Sequence, residues 1–247
     1  MQRYFIDETQ LSGETVTITG DDFHHLKRVM RAKLEQKIIV CLPNELTYLV
    51  GISEIADDYI EAQIVEELEQ HVELPIAVTI IQGLPKGDKL EYIIQKATEL
   101  GMAELVPWAA KRAIVKLDAK KAVKKIERWQ KIAKEAAEQS HRVVVPTIHD
   151  VQTTQQVLAS LKTFDSVIIA FEETAKAGTH AMFKQIAQQL TPGQRVAIII
   201  GPEGGLSEDE VIKFSEYGVT ASFGPRILRT ETASSYALSA LSYELEL

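Results

Sequence analysis

The 247-residue sequence has very little cysteine, and the short motifs of several enzyme classes are missing. Its single cysteine, Cys41, excludes an intrachain disulfide and lies in the apolar run IIVCL, so we expect a buried thiol rather than a nucleophile. No C-x-x-C or H-E-x-x-H pattern indicates a metal site. Neither G-x-G-x-x-G nor G-x-x-x-x-G-K-S/T occurs, which argues against a nucleotide-dependent oxidoreductase.

Long apolar runs are also absent. No stretch approaches the ~18 residues that cross a membrane as a helix, and the first residues do not form a basic segment followed by an apolar one. Together with the single cysteine, these features predict a cytoplasmic protein. Hydrophobic residues make up 45% of the chain and charged residues 25%, values typical of a globular protein with one or two domains.

Positive charge is scarce overall but concentrated locally. The formal net charge is −8, and residues 1–74 hold 6 Lys or Arg against 15 Asp or Glu. Basic residues nevertheless cluster at 27–37 and at 111–134, where ten of them accompany only Asp118 and Glu127. A local basic surface can bind phosphates on an acidic protein, although a solvated helix face explains the second cluster nearly as well.

Residues 1–70 are expected to form a small β-rich domain with one short helix. The run DDFHHLKRVMR at 21–31 has the spacing of an amphipathic helix. His24, Arg28 and Arg31 recur at i, i+4 and i+7, so they should share a face whose guanidinium groups can bind phosphates. Histidines without any role are the alternative for this run. The expected strands are Arg3–Ile6, Val16–Thr19, Lys37–Leu42, Leu46–Glu54 and Tyr59–Leu68.

The second domain is expected at 76–247, after the polar linker EQHVELP at 69–75. Short apolar runs alternate there with helical patterns, which predicts a parallel sheet with helices between its strands. A long basic helix is expected at 119–139. The expected strands are Ile76–Gln82, Glu104–Trp108, Ser166–Phe171, Val196–Ile200 and Val219–Phe223.

Two of these strands run directly into a Gly-Pro pair, at Gly201-Pro202 and Gly224-Pro225. Ligands of open parallel sheets bind where the strands end, so the two loops are a candidate binding site. The glycines of GPEGG permit close approach to a ligand, but a simple tight turn explains them equally well. Ser207 and Glu210 predict a capping box, and the acidic helix start that follows disfavours a phosphate ligand.

The second loop, GPRILRTETA, is dense in polar groups just before a helix. Together with GPEGG and S-x-x-E, it resembles the cofactor loops of the SPOUT methyltransferases. More narrowly it resembles the RsmE family, which methylates the N3 ring nitrogen of a uridine in 16S ribosomal RNA. The resemblance extends over the chain, through the RYF opening, the HHLxxVxR run, the KxxKLE and QKATELG segments and AAEQSxR. The chain departs from the family at Glu35-Gln36, where Gly-Asp is usual, and this bears on the geometry of that turn.

The resemblance implies a PUA-like β-barrel that holds RNA, followed by a SPOUT domain with a deep trefoil knot. It also implies S-adenosylmethionine as cofactor, the 16S ribosomal RNA of the small subunit as partner, and a homodimer whose interface includes the last helix. The implied cofactor-binding residues are Phe171, Glu172, Ile200, Gly201, Glu203, Gly204, Gly205, Ile227, Leu228, Arg229, Thr230, Thr232 and Ala233. The candidate RNA-binding residues are Arg3, His24, Arg28, Arg31, Lys86, Lys89 and Arg142.

Arg229 and Glu231 are the candidate catalytic residues. Arg229, or else Arg28, would stabilise the anion that forms when uridine N3 loses its proton. Glu231 or Glu203 would accept that proton or anchor an arginine. A structural ion pair between Arg229 and Glu231 is the alternative for both.

Two other functions stay open from the sequence. The same fold can methylate another RNA atom, such as the ribose 2′-oxygen. A non-catalytic RNA-binding or ribosome-assembly factor is the third reading, against which the intact GPEGG and LRTETA segments argue.

Overall fold

The computed structural model describes residues 1–115, 119–171 and 182–247. Contacts divide the chain into two compact units, Met1–Glu73 with Ala137–Val145 and Leu74–Ala136 with Pro146–Leu247. None of the helices within the described ranges combines the length and the apolar character needed to span a membrane.

The first unit is built on a six-stranded sheet in the order β1-β4-β5-β6-β3-β2. Neighbouring strands are antiparallel except for β1 and β4, which pair in parallel. The expected β-rich unit is therefore confirmed; β2 has only two residues and leaves no periodic signal in the sequence. The strands are β1 Arg3–Phe5, β2 Leu11–Ser12, β3 Thr15–Ile18, β4 Lys37–Cys41, β5 Thr47–Ile55 and β6 Ile60–Glu67, with a 3-10 turn at Glu8–Gln10.

The helix expected at 21–31 is shorter and changes its pitch. An α-helical turn at Gly20–His24 continues as a π turn at His25–Val29, where the N–H of Met30 bonds to the carbonyl of His25 at 3.0 Å. Arg31 follows with a left-handed φ of 50°. The expectation that Arg31 shares one α-helical face with the residues before it is therefore wrong, because a π turn is wider and the helix has already ended.

Two arginines expected to contact RNA are instead buried in the first unit. Arg3 is 3% exposed and donates hydrogen bonds to the carbonyl oxygen of Arg142 and to Gln70 Oε1, both at 2.6 Å. Arg142 is 4% exposed and forms a short ion pair with Glu73. The other carboxylate oxygen of Glu73 accepts the N–H of Val143 at 2.9 Å. These contacts correct the RNA-binding expectation, since both guanidinium groups stabilise the fold.

The second unit contains a six-stranded, fully parallel sheet in the order β12-β10-β11-β7-β8-β9. Central strands β7 and β11 are buried along almost their whole length, as expected for a sheet covered on both faces. The predicted α/β class and parallel sheet are confirmed, while the trefoil knot stays a prediction. The strands are β7 Ala77–Gly83, β8 Glu104–Trp108, β9 Thr147–Ile148, β10 Ser166–Ala170, β11 Arg195–Ile200 and β12 Val219–Ala221.

Helices alternate with the strands after residue 74, as expected. The basic helix covers 119–139 as predicted, and the C-terminal helix begins at Thr230. The described helices are Lys89–Glu99, Ala119–Gln139, Thr154–Ser160, Met182–Ala187, Glu208–Phe214 and Thr230–Glu246, with a 3-10 turn at Leu161–Thr163.

The turn before β4 contains a left-handed residue at the position where the family usually has glycine. Glu35 adopts a left-handed φ of 66°. Its N–H donates to the carbonyl of Ile52 at 2.8 Å, and the N–H of Ile52 donates to the carbonyl of Gln36 at 3.0 Å. The chain thus makes the turn with a side chain that disfavours it, at a cost of about 1 kcal/mol.

Replacing Glu35 by glycine is expected to stabilise the first unit by about 0.5–1 kcal/mol, because glycine adopts the left-handed conformation without a Cβ clash. Urea denaturation would measure this as a higher midpoint. Lys33→Gly is the matched control, because Lys33 lies in the same turn without a positive φ and should lose stability instead. An unchanged or lower midpoint for Glu35→Gly would show that the backbone conformation of Glu35 does not destabilise the first unit.

Glu73→Ala is expected to destabilise the first unit by about 3–5 kcal/mol, because it leaves the buried charge of Arg142 without its partner. Thermal and urea unfolding would report the loss. Glu69→Ala is the control, since Glu69 is largely exposed beside His71. Equal stability of the two variants would show that the buried pair does not hold this unit together.

Candidate active site

A cavity of about 500 Å³ lies where strands β10, β11 and β12 of the second unit end. It is lined by the GPEGG loop at 201–205 after β11 and by residues 226–231 after β12. Both predicted loops thus meet at one site, because parallel strands end at the same edge of a sheet. The volume lies within the range of sites for small molecules and cofactors, about 300–1,000 Å³.

Most of the residues expected to bind the cofactor line this cavity. Thr232 does not, because it projects from the first helical turn away from Thr230 and Ala233, which are three residues apart on the inner face. Glu172 lies outside the described residues. The expected residues that do line the cavity are Phe171, Ile200, Gly201, Glu203, Gly204, Gly205, Ile227, Leu228, Arg229, Thr230 and Ala233.

A buried hydrogen-bond network joins the two loops beneath the cavity. Gln82, at the end of β7 and fully buried, donates from Nε2 to the Thr230 hydroxyl at 2.8 Å. That hydroxyl donates in turn to the carbonyl oxygen of Gly201 at 2.7 Å. Gln82 was not among the predicted site residues, although a polar residue near the end of the apolar strand AVTIIQG was a signal for it.

Gly201 leaves no room for a side chain. A Cβ added there would lie 2.8 Å from the carbonyl carbon of Gly205 and 3.0 Å from the amide nitrogen of Leu206. Gly205 has a left-handed φ of 67°. GPEGG is therefore a tight strand-to-helix turn and a wall of the cavity at the same time, so the two readings of the motif are compatible.

An ion-paired triad connects the two loops at the cavity. The ammonium group of Lys89 lies 3.0 Å from Glu203 Oε1 and 3.3 Å from Glu231 Oε2. Lys89 was expected to contact RNA, but in this structure its single positive charge is shared between two carboxylates. The partner of Glu231 is thus Lys89, and no ion pair joins Glu231 to Arg229 within the described part of the chain.

The carboxylate of Glu203 is held in its charged form. Partial burial tends to raise its pKa, but hydrogen bonds from its own N–H and that of Lys86, together with the Lys89 ammonium, lower the pKa below its usual range. The N–H of Lys86 lies 3.1 Å from Glu203 Oε1, and its side chain is exposed. Glu203 therefore anchors the loop 86–89 and is a weak proton acceptor.

The predicted capping box is present, and it also holds a third loop. The Glu210 carboxylate is buried, and its Oε2 accepts hydrogen bonds from the N–H and the hydroxyl of Ser207 at 2.8 and 2.7 Å. Its Oε1 accepts the N–H of Lys111 at 2.7 Å.

The neighbouring Arg112 lines the cavity and was not among the predicted residues. Its position just after β8, at the edge where the other loops lie, was the available signal.

The remaining predicted RNA-binding residues lie on the surface of the first unit. His24, Arg28 and Arg31 are exposed, and the His24 ring packs against Phe23 with centroids 5.2 Å apart. Their side chains are accessible to a ligand, unlike those of the buried Arg3 and Arg142.

Models of two protein families match the chain. Residues 72–242 match the RNA methyltransferase domain, and residues 18–65 match the RNA methyltransferase PUA domain. The first match covers more than half of the sequence, including every described cavity residue.

Individual relatives resemble the chain over its full length. Ribosomal RNA small subunit methyltransferase E of Bacillus subtilis is 49% identical, with 100% of this chain and 98% of the relative covered. The structure of a ribosomal RNA small subunit methyltransferase E from Neisseria gonorrhoeae, bound to S-adenosyl methionine, has a TM-score of 0.84 at 28% identity and covers 98% of this chain and 97% of its own. A putative methyltransferase from Legionella pneumophila, also solved with this cofactor, has a TM-score of 0.82 at 28% identity, over 98% of this chain and 96% of its own. The chain belongs to the ribosomal RNA small subunit methyltransferase E family, the RsmE family that its loop motifs resemble.

Proposed function

We propose that this protein transfers the methyl group of S-adenosylmethionine to N3 of a specific uridine in the 16S RNA of the small ribosomal subunit. The observation that carries the proposal is the cavity between GPEGG and ILRTETA, in a chain whose full-length relatives are small-subunit RNA methyltransferases. Relatives from two other bacteria were solved with S-adenosylmethionine bound.

The residues of the cavity fit this cofactor. Backbone groups of 200–205 and 227–230 surround the space, and Phe171 and Ile227 add apolar surface for an adenine ring. S-adenosylmethionine has no phosphate and a positively charged sulfonium, so the acidic helix start that disfavours a nucleotide phosphate is compatible with it. When bound, the cofactor supplies an electrophilic methyl group, and the protein has to orient the reactants.

The chain's own residues act on the uridine. N3–H has a pKa roughly two units above neutral, so its removal needs about 3 kcal/mol of assistance. Arg229, exposed at the cavity without a carboxylate partner in the described residues, stabilises the developing negative charge of the base. Glu231, less tightly bound than Glu203, accepts the proton. The base has to leave its stack to reach these groups.

RNA contacts in the first unit and self-association of the second extend the same proposal. His24, Arg28, Arg31 and Lys86 contact the RNA backbone with their exposed cationic groups. The protein works in the cytoplasm, where small ribosomal subunits are assembled. It acts as a homodimer through the outer face of the C-terminal helix, which exposes large aromatic side chains. We also propose an RNA-binding domain at 1–70 and a methyltransferase domain at 76–247 whose chain forms a trefoil knot.

Gly201→Ala is expected to weaken S-adenosylmethionine binding at least about tenfold, because the added methyl group meets backbone atoms and shifts the loop. Calorimetry on the wild type and the variant measures the loss. Gly51→Ala is the matched control, since its Cβ would meet only a side-chain methyl at 3.7 Å in the first unit. If the wild type bound no S-adenosylmethionine at millimolar concentration, the methyltransferase function would be excluded. A non-catalytic RNA-binding protein would then be the better explanation.

Arg229→Ala and Glu231→Gln are each expected to lower kcat for methyl transfer to small ribosomal subunits by about 10²–10³, with cofactor affinity little changed. Thr232→Ser, at an exposed neighbour outside the cavity, should keep the wild-type rate. Radiolabelled methyl transfer gives the rates, and nucleoside analysis identifies the product. A methyl group on a ribose 2′-oxygen would replace the uridine assignment by that of another RNA atom.

A further inference from the structure

Three arginines that line the cavity have no carboxylate partner among the residues that the structure describes. Across the described ranges, no Asp or Glu oxygen lies within ion-pairing distance of Arg112, Arg226 or Arg229, and all three are exposed. Two other exposed basic residues of this unit are ion-paired, since Lys111 lies 2.8 Å from Asp209 and Arg128 lies 2.7 Å from Glu91. A group of unpaired guanidinium groups at one cavity indicates an anionic ligand.

Arg112 is the member of this group whose position is fixed by several contacts. Its turn is closed by a hydrogen bond from the N–H of Ala113 to the carbonyl of Ala110 at 3.0 Å, and the Glu210 carboxylate holds the preceding residue. Gly204 packs so closely that a Cβ there would lie 3.1 Å from Arg112 Cβ. Nη1 of Arg112 donates a hydrogen bond to the carbonyl oxygen of Gly204 at 3.1 Å. Most of the N–H donors of the guanidinium group therefore stay available for a ligand.

The location of Arg112 favours a phosphate of the RNA over a group of the cofactor. Arg112 also lines a second, smaller cavity of about 260 Å³ with Lys111, Ser207, Glu208 and Asp209, so it stands between the two spaces. The acidic helix start that disfavours a phosphate at the GPEGG loop is largely compensated here, because Lys111 pairs with Asp209 and the buried Glu210 accepts three hydrogen bonds. Glu208 is the remaining acid. A uridine that enters the larger cavity brings its flanking phosphates to this border, where a planar guanidinium can bind them with two hydrogen bonds.

We propose that Arg112 binds a phosphate of the RNA strand beside the target uridine and thereby positions the base at the cavity. The inference rests on the proposed methyl transfer to ribosomal RNA and adds a substrate-positioning contact to it. The loop after β8 then takes part in substrate binding together with the two loops that hold the cofactor.

The test compares Arg112→Gln with Arg128→Gln in the full-length protein. Arg128 is an exposed arginine of the same unit whose charge is already paired, so the two variants remove the same charge in different settings. Methyl transfer to unmethylated small ribosomal subunits is measured at several salt concentrations, and S-adenosylmethionine affinity is measured separately by calorimetry.

Arg112→Gln is expected to raise KM for the subunits about tenfold. The slope of log(kcat/KM) against the logarithm of the salt concentration should become less negative by about 0.7–0.9, because one phosphate contact is lost. Cofactor affinity, and kcat at saturating RNA, should stay within about twofold of wild type. Arg112→Lys should recover part of the loss, because lysine also binds phosphate as a point charge.

Three results would overturn the inference while the proposed function stands. They are an unchanged KM and salt slope in Arg112→Gln, an equal effect of Arg128→Gln, and weakened S-adenosylmethionine binding, which would assign Arg112 to the cofactor. Failure of the proposed function has a different signature, since the wild-type protein would then transfer no methyl group to the subunits.

Discussion

The hydrogen bonds that Gln82 and Thr230 make beneath the cavity are the contacts on which the candidate site depends. They connect the end of β7 to the carbonyl of Gly201 and to the start of the C-terminal helix, so segments far apart in sequence are held together. Because these polar groups are buried, losing one partner would leave the others unsatisfied at a cost of about 1–3 kcal/mol. The cavity walls can therefore be shaped by loops that have little regular structure of their own.

Two kinds of charged side chain surround this network: carboxylates that have partners and guanidinium groups that have no acidic partner among the described residues. Carboxylates that hold the loops have cationic or hydrogen-bonding partners: Glu203 and Glu231 are ion-paired with Lys89, and Glu210 accepts three hydrogen bonds. The guanidinium groups at the cavity, in contrast, have no acidic partner among the described residues. Paired groups stabilise the walls, and unpaired cations attract an anionic substrate. The net charge of −8 is thus compatible with RNA binding, because the field at the cavity is local.

Residues that look alike in sequence have different roles in the fold. Arg3 and Arg142 stand in motifs shared with an RNA-modifying family, yet both are buried and bonded within the first unit. Arg112 belongs to the basic cluster at 111–134 but to none of the shared motifs, and it lines the cavity. A motif shared by relatives preserves a folded core as well as a binding surface, so burial is needed to separate the two roles.

The sequence alone determined the α/β class, the parallel sheet, most strand and helix positions, and the meeting of the two Gly-Pro loops. These follow from local rules: apolar periodicity, turn residues, and the single edge at which parallel strands end. Tertiary structure decided that Gln82 joins the loops, that Lys89 rather than Arg229 pairs with Glu231, and that the helix at 20–29 widens into a π turn. Such choices depend on distances between residues up to about 150 positions apart. Sequence spacing cannot supply them, because a side chain's partner is selected by packing and not by its neighbours along the chain.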